Sequence, residues 1–304
     1  MADEPLLLHS LSEHGELIFG ALDAARPRRV VEIGSETGGF SKELLDWAGR
    51  NGATLVTVEP YPTPEVRELA ATTEHFELIT GRSPGVLAEI EPGDAYVIDG
   101  DHNHWTVTAE LRSAYADGRE PLAILHDVAW PCARRDQYYA PHAIPAEGRH
   151  DLSWEQGRDP DSSELVDVGG FQAEFEFAVA RAEGGERNGV LTAIEDFLAE
   201  RPGLDLRTVN AVFGVGYVFP AAAPYAERLR ELLDPWHDSR LLARLERNRV
   251  RMFAHIVELQ DRLRRAGLRA NGSVLELEDR IETLEAENAA LRLERARTRA
   301  GQTQ

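Results

Sequence analysis

Acidic residues and histidines stand where two short apolar segments of the chain end. Asp99 and His102 follow one such segment, and His126 and Asp127 follow the next. Carboxylate oxygens are the ligands that Mg²⁺ prefers, and an imidazole binds metals or moves protons near neutral pH. If the two segments are neighbouring parallel strands, Asp99, His126 and Asp127 converge on one divalent cation, magnesium or a similar ion. His102 then stands beside them as a general base.

Both histidines also have a purely structural interpretation. His102 would tie down its own loop by hydrogen bonds to Asp99 or Asp127, and His126 would orient Asp127. The residue types therefore leave open whether this group binds a cation, moves a proton or orders its loops.

A glycine-containing turn follows an earlier apolar segment, residues 29–33. Gly34 permits a tight turn, and Gly38 lets a ligand approach the backbone ahead of a helix whose first N–H groups are free. The spacing G-x-x-x-G differs from the G-x-G-x-x-G of dinucleotide folds and lacks the Lys-Ser/Thr ending of a P-loop. Glu32 and Glu36 would repel a pyrophosphate and suit a ligand with a positive end.

Glu59 ends a β-rich segment, residues 53–58, that follows the glycine turn. An acid at the tip of the second strand accepts two hydrogen bonds from a ribose diol in nucleoside-binding folds. We therefore predict that Glu59 holds a ribose. The alternative is an exposed acid that caps the next turn.

Strand-like and helix-like segments alternate over the first 220 residues, which predicts a parallel sheet with crossover helices. Ligands of such sheets bind beyond the carboxyl ends of the strands. The segments 206–212 and 216–219 have so short a connection that they must pair antiparallel. Residues 130–186 are irregular, which predicts an inserted lid, a binding segment or disorder.

Composition excludes several classes of protein. The 304 residues include 33 Lys and Arg against 53 Asp and Glu, and the net charge of −20 argues against a nucleic-acid partner. The chain has no apolar run as long as a membrane span and no signal-peptide pattern in residues 1–12, so we expect a cytoplasmic protein. One cysteine, Cys132, excludes an internal disulfide.

Over residues 28–220 the chain resembles the class I S-adenosylmethionine-dependent methyltransferases. Within them it is most similar to small-molecule O-methyltransferases whose fourth strand ends in IDGDH and whose fifth ends in HD. The motifs that carry the resemblance are Glu32-x-Gly34-x-x-x-Gly38-Gly39, Glu59, Val97-Ile98-Asp99-Gly100-Asp101-His102 and Leu125-His126-Asp127. The resemblance implies an α/β, Rossmann-like, seven-stranded sheet whose last strand is antiparallel.

The resemblance also implies the cofactor S-adenosylmethionine and O-methylation of a hydroxyl on a small molecule or glycan. The implied cofactor-binding residues are Glu32, Gly34, Ser35, Gly38, Gly39 and Phe40 around the methionine part, Glu59 on the ribose, and Arg82, Ser83 and Asp99. The hydroxyl must lose its proton, either to a histidine or on a divalent cation. The implied catalytic residues are His102, Asp99 and His126. His126-Asp127 stands where catechol-type relatives have Asp-Asn, so the metal stays an open question.

The inserted segment begins beside the predicted cleft. Arg134, Arg135, Tyr138 and Tyr139 are our candidates for binding the acceptor, because Arg suits carboxylate or phosphate and Tyr stacks on rings. The alternative is a solvated loop that packs its own tyrosines.

The composition changes near residue 224. Acids greatly outnumber bases up to this point and the two balance after it, so we divide the chain into a methyltransferase domain, 1–224, and a helical tail, 225–304. The tail has a 3,4 spacing of apolar residues with Asn288 at a core position, interrupted at 267–272. A capping box at Ser273 and Glu276 predicts the start of the last helix. The pattern predicts a coiled coil that joins two copies of the chain. The alternatives are packing on the body or as a hairpin.

A second class of function competes with the enzyme. The chain could be a non-catalytic nucleoside-binding protein, or an interaction protein whose coiled coil does the assembly. The intact glycine turn and Glu59 argue against a scaffold, which needs neither. A nicotinamide oxidoreductase is disfavoured by the glycine spacing.

Overall fold

The computed structural model describes residues 10–171 and 176–301, and over these ranges strands and helices alternate as predicted. The strands are β1 (Arg29–Ile33), β2 (Thr54–Glu59), β3 (Phe76–Thr80), β4 (Ala95–Ile98), β5 (Leu122–His126), β6 (Gln137–Tyr138), β7 (Leu152–Ser153), β8 (Gly157–Arg158), β9 (Leu165–Val166), β10 (Ala178–Ala180), β11 (Leu204–Val209) and β12 (Val215–Pro220). The α-helices are α1 (Gly15–Ala25), α2 (Gly39–Asn51), α3 (Pro64–Thr72), α4 (His104–Ala114), α5 (Val190–Glu200), α6 (Ala226–Leu233) and α7 (Arg240–Gly301).

Seven strands form the central sheet, in the order β11-β12-β5-β4-β1-β2-β3. β12 runs antiparallel to both of its neighbours, β5 and β11, and the remaining pairs are parallel. The predicted Rossmann-like sheet with an antiparallel last strand is therefore confirmed. Because β5, β4, β1 and β2 are adjacent and parallel, their carboxyl ends lie side by side at one edge of the sheet.

Helices cover both faces of the sheet. On one face α1, α2 and α6 bury Leu22, Leu44 and Leu229 against it, and on the other face α4 and α5 bury Leu111 and Phe197. Strands buried on both faces need nearly continuous apolar sequence. This requirement explains why the short apolar segments predicted the strands so closely.

The insert, residues 130–186, contains more structure than predicted. β6, β10 and β7 form a small antiparallel sheet, and β8 pairs with β9. Tyr138, Ile144 and Ala178 belong to a separate small core. Strands of two or three residues are too short for a periodic pattern, so they leave no signal in the sequence.

The packed body of the protein extends past the predicted boundary at residue 224. α6 lies against α1, and its Leu229 and Leu233 are fully buried in the core. The charge balance changes at this boundary, but the apolar face of α6 completes the layer of helices that covers the sheet.

The predicted interruption at 267–272 is wrong, because α7 is one helix of 62 residues. Isolated glycines such as Gly267 and Gly272 cost a helix only about 1 kcal/mol each, and the neighbouring Leu, Arg and Ala are good helix formers. Ser273 and Glu276 therefore lie within the helix and do not start it. None of the described helices has an apolar stretch long enough to cross a membrane.

Candidate active site

The turn between β1 and α2 brings two strand ends into direct backbone contact. Gly34 has φ +85°, and a Cβ there would lie 2.2 Å from the carbonyl oxygen of Asp99. Gly38 has φ +80°, and a Cβ there would lie 2.6 Å from Val66 Cγ2. Only glycine fits both the backbone conformation and the close approach at Gly34. The turn therefore sets the distance between the ends of β1 and β4.

α2 begins beside this turn without a side-chain cap, since Gly38 is its N-cap residue. The N–H groups of its first turn have no partner within the helix and suit a polar ligand. A Cβ at Gly39 would have nothing within 4 Å, so space is open over the helix start. The ring of Phe40 stacks on Phe19 with centroids 5.8 Å apart. One face of the Phe40 ring is therefore occupied by Phe19.

Backbone N–H groups fix Glu59 at the end of β2. Its Oε2 accepts a hydrogen bond from the Ser35 N–H at 3.0 Å, and its Oε1 accepts one from the Tyr61 N–H at 2.9 Å. A carboxylate has about four acceptor positions. Ser35 Oγ also donates to Oε2, at 3.4 Å. The three hydrogen bonds hold Glu59 in a fixed orientation and leave about one acceptor position open.

Glu32 lies beneath the turn and not in the cleft. Its Oε2 accepts hydrogen bonds from Ser41 Oγ at 2.7 Å and Thr57 Oγ1 at 2.6 Å, and the residue is 2% exposed. Burial raises the pKa of Glu32 to about 7, although the two hydroxyl groups oppose the shift. The side chain of Glu32 therefore joins β1, β2 and α2, in contrast to its predicted place among the cofactor-binding residues.

Arg82 and Ser83 follow β3 and make contacts with different parts of the protein. Arg82 donates to Tyr61 Oη at 2.6 Å, and its guanidinium lies 5.4 Å from the centroid of that ring. Ser83 Oγ donates to Glu110, an acid of α4 that is fully buried. Burial raises the pKa of Glu110 to about 8. Glu110 leaves no signal in the sequence, because one acid on a predicted helix forms no pattern.

Asp99, His126 and Asp127 meet at the ends of β4 and β5. His126 Nδ1 lies 3.0 Å from Asp99 Oδ1 and 3.4 Å from Asp127 Oδ2. His126 Nε2 lies 3.0 Å from the carbonyl oxygen of Val212, in the turn between β11 and β12. The structure therefore brings together the three side chains predicted to share a cation.

The two carboxylates decide the charge of His126. Burial alone would lower the pKa of this imidazole, but Asp99 and then Asp127 outweigh burial and raise it to about 9. The His14 ring lies 6.4 Å away, and its pKa is lowered to about 4, first by burial and then by the charge of His126. His126 is therefore protonated at neutral pH, and in that state neither nitrogen has a lone pair for base catalysis.

The same three side chains also fit a divalent cation. Their ligand atoms all lie within 4.8 Å of one another. One imidazole nitrogen and two carboxylate oxygens suit Mn²⁺ and similar ions. His126 would have to lose the proton on Nδ1, while Nε2–H continues to donate to Val212 O and orients the ring.

His102 stands beside this cluster with one nitrogen oriented by a carboxylate. Its Nδ1 lies 3.3 Å from Asp127 Oδ2, and its ring centroid lies 5.9 Å from that of Tyr139. Within the described ranges, Nε2 of His102 has no hydrogen-bond partner. Asp101 points elsewhere and accepts a hydrogen bond from the Tyr139 N–H at 3.1 Å.

Two of the four residues predicted to bind the acceptor make their polar contacts within the insert. Arg135 is 2% exposed and donates to the carbonyl oxygens of Ala180 and Arg181, each at 2.7 Å. Tyr138 is fully buried and donates to Asp136 Oδ2 at 2.7 Å. These contacts occupy the polar groups of Arg135 and Tyr138, in contrast to the prediction that they bind the acceptor.

Arg134 and Tyr139 remain accessible. Arg134 pairs with Glu195 on α5 at 2.7 Å and also donates to Thr192. Tyr139 is 49% exposed and contacts the rings of His102 and Phe177 edge-on. Of the four predicted residues, Tyr139 is the one beside His102.

A row of aromatic side chains continues from Tyr139 through the insert to α7. Tyr139 contacts Phe177, Phe177 contacts Phe171, and Phe171 contacts both Phe213 and Phe253, with ring centroids 5.3 to 6.1 Å apart. The buried guanidinium of Arg158 lies 4.8 Å from the Phe171 ring. These residues are scattered along the chain without a period, so the sequence analysis missed them.

A family model described as a methyltransferase domain matches residues 31–120. This segment begins in β1 and contains the glycine turn, Glu59 and the Asp99–His102 motif. The match supports a methyltransferase domain over this part of the chain. The search of curated proteins found no match to this chain.

Solved structures of three methyltransferases are similar to the chain at low identity. The methyltransferase PaMTH1 of Podospora anserina, bound to S-adenosylhomocysteine, is 15% identical, with 70% of this chain and 80% of that chain covered and a TM-score of 0.42. The O-methyltransferase TomG of Streptomyces achromogenes is 16% identical, covering 70% and 82%, with a TM-score of 0.40. An O-methyltransferase of Bacillus cereus is 17% identical, covering 72% and 85%, with a TM-score of 0.41.

Proposed function

We propose that this protein transfers a methyl group from S-adenosylmethionine to a hydroxyl of a small molecule or sugar. One observation carries the proposal: the Gly34 turn, Glu59 and the Asp99–His126–Asp127 cluster occupy adjacent strand ends at one edge of the sheet. The methyltransferase-domain match over residues 31–120 supports the same activity.

The cofactor site would lie along the ends of β1 and β2. The glycine turn and the uncapped start of α2 would receive the methionine part, and Glu59 would accept hydrogen bonds from the ribose. The N–H groups of Ser35 and Tyr61 hold Glu59 in place for this role. When bound, S-adenosylmethionine supplies an electrophilic methyl group on a positively charged sulfur. The carboxylates of Glu59 and Asp99 would stabilise this positive charge.

His102 is the proposed general base. Asp127 Oδ2 lies 3.3 Å from His102 Nδ1 and would keep a proton on that nitrogen, so that Nε2 takes the proton of the acceptor hydroxyl. The new bond between the methyl carbon and the acceptor oxygen forms as the sulfur–carbon bond breaks. Asp127 acts here as a positioning residue, and Tyr139 borders the acceptor.

A divalent cation held by Asp99, His126 and Asp127 is the second route to the same proton loss. Such a cation lowers the pKa of a bound hydroxyl. Methyl transfer to a panel of phenols and sugars, measured after exhaustive chelation, separates the two routes. Turnover that is lost and then restored by Mg²⁺ or Mn²⁺ supports the cation. Turnover that survives chelation and is abolished by His102→Gln supports the base.

Calorimetric titration with S-adenosylhomocysteine tests the cofactor site. We expect Glu59→Gln to weaken binding about 10- to 100-fold, because charged hydrogen bonds to the ribose are lost. Glu68→Gln on the exposed side of α3 is the matched control and should bind like the wild type. Equal affinity of both variants would contradict the ribose role of Glu59.

The competing non-catalytic function makes a different prediction in the same experiments. A nucleoside-binding scaffold would bind S-adenosylhomocysteine and show no methyl transfer to any acceptor. An interaction protein without a nucleoside site would give no heat of binding at all.

A further inference from the structure

α7 exposes a long row of apolar side chains to water. Their exposed fractions lie between 41% and 73%, and they are Leu245, Met252, Ile256, Leu259, Leu263, Leu277, Ile281 and Leu284. Apolar side chains repeated over this length are unusual on a protein surface and indicate a binding surface. At 1.5 Å per residue the helix is roughly 90 Å long, so it reaches well beyond the body.

The opposite face of α7 is already occupied by the body of the same chain. Glu246 Oε1 accepts a hydrogen bond from the Phe213 N–H at 3.0 Å, and Asp261 Oδ2 accepts one from the Gly169 N–H at 3.1 Å. Val250, on the same face, is 2% exposed. Because the body holds this face, the apolar stripe cannot turn inward. The uninterrupted helix also excludes the hairpin as its cover.

The sequence of α7 specifies what covers the stripe. Core positions recur at 3,4 spacing along 245–263 and again along 274–291. Between the two runs the heptad repeat is shifted by four residues, and such an insertion locally unwinds a coiled coil. Asn288 occupies an a position, where a polar residue fixes register in two-stranded coils. We propose that the occupant is a second copy of this chain, with the two α7 helices parallel and in register.

Charges beside the core positions favour this arrangement. In a parallel, in-register pair, each g position faces the e position five residues further along the partner. The two facing pairs whose g positions lie in the second run both join opposite charges: Arg280 with the partner's Glu285, and Glu287 with the partner's Arg292. An antiparallel pair would lose these matches and would separate the two Asn288 residues.

Disulfide trapping in the full-length chain tests the orientation. Leu284→Cys places a thiol at a d position, where it meets its own copy in a parallel, in-register pair, and oxidation should give a covalent dimer. Thr283→Cys, one residue away on the outer surface, is the control and should give little covalent dimer. The native Cys132 is buried and contributes no background. Light scattering of the untreated protein should give the mass of a dimer. A monomer mass, or equal trapping of both variants, would overturn the proposal.

Charge reversal tests the register. Glu285→Arg should raise the dimer dissociation constant about tenfold, because two attractive pairs become repulsive. The double variant Arg280→Glu with Glu285→Arg should recover wild-type dimerisation, and Glu282→Arg, away from the seam, should leave it unchanged. A double variant as weak as the single one would refute the pairing. Neither experiment depends on methyl transfer, so a failure here is distinct from a failure of the proposed enzyme.

Discussion

His126 carries its charge because two carboxylates face it inside the protein. Burial opposes that charge, and Asp99 and Asp127 overcome the burial and raise the pKa from 6.5 to about 9. Since the folded pKa is above the unfolded one, this contribution to stability is complete below pH 6.5 and is lost as the pH rises through about 9. At one site it amounts to about 3 kcal/mol.

Urea unfolding in the presence of a chelator measures this loss. The free energy of unfolding of the wild type should fall between pH 6.5 and pH 9 more steeply than that of His126→Gln. His142→Gln, on the exposed surface, is a control that should follow the wild type. Parallel curves for the wild type and His126→Gln would mean that His126 is neutral in the folded protein.

The turn from β1 to α2 is the element on which the proposed site depends. A Cβ at Gly34 would both occupy the left-handed region and meet the Asp99 carbonyl oxygen at 2.2 Å. Gly34→Ala must therefore separate the ends of β1 and β4. We expect it to cost more than the roughly 1 kcal/mol of a left-handed alanine, and to weaken binding of S-adenosylhomocysteine.

Gly52→Ala is the matched control for this turn. Gly52 has φ +66° at the end of α2, and a Cβ there would have nothing within 4 Å. The loss of stability in Gly52→Ala therefore comes from the backbone conformation alone. Thermal unfolding of both variants separates the two effects, and equal losses of stability would show that the contact with Asp99 is not restrictive.

At the scale of the whole molecule, α7 connects the insert to the proposed partner. One face holds the turn at Phe213 and the insert at Gly169, and the other presents the apolar stripe. Phe213 follows Val212, whose carbonyl oxygen contacts His126. In the proposed dimer the two bodies lie on the outer sides of the coiled coil. Each would keep its own complete set of site residues.

Several features of the protein could be predicted from the sequence because they depend on near neighbours. Strands buried on both faces require apolar runs, so segments such as 29–33 and 122–125 identified the sheet. Acids directly after these runs must lie at the carboxyl edge, which placed Glu59, Asp99 and Asp127. The 3,4 spacing in the tail likewise indicated a helix with an apolar face, although two glycines suggested a break that the helix does not have.

The tertiary structure decided the protonation and the contacts of each polar side chain, because both depend on residues far apart in the chain. Glu32 and Glu59 are both predicted to bind the cofactor and both are buried, yet the hydroxyls of Ser41 and Thr57 bind Glu32, whereas the backbone N–H groups of Ser35 and Tyr61 bind Glu59. Arg135 and Tyr138 are bound by carbonyl and carboxylate groups of the insert, which no local pattern encodes. The charge of His126 depends on a carboxylate 27 positions away, and such distances lie outside the reach of sequence periodicity.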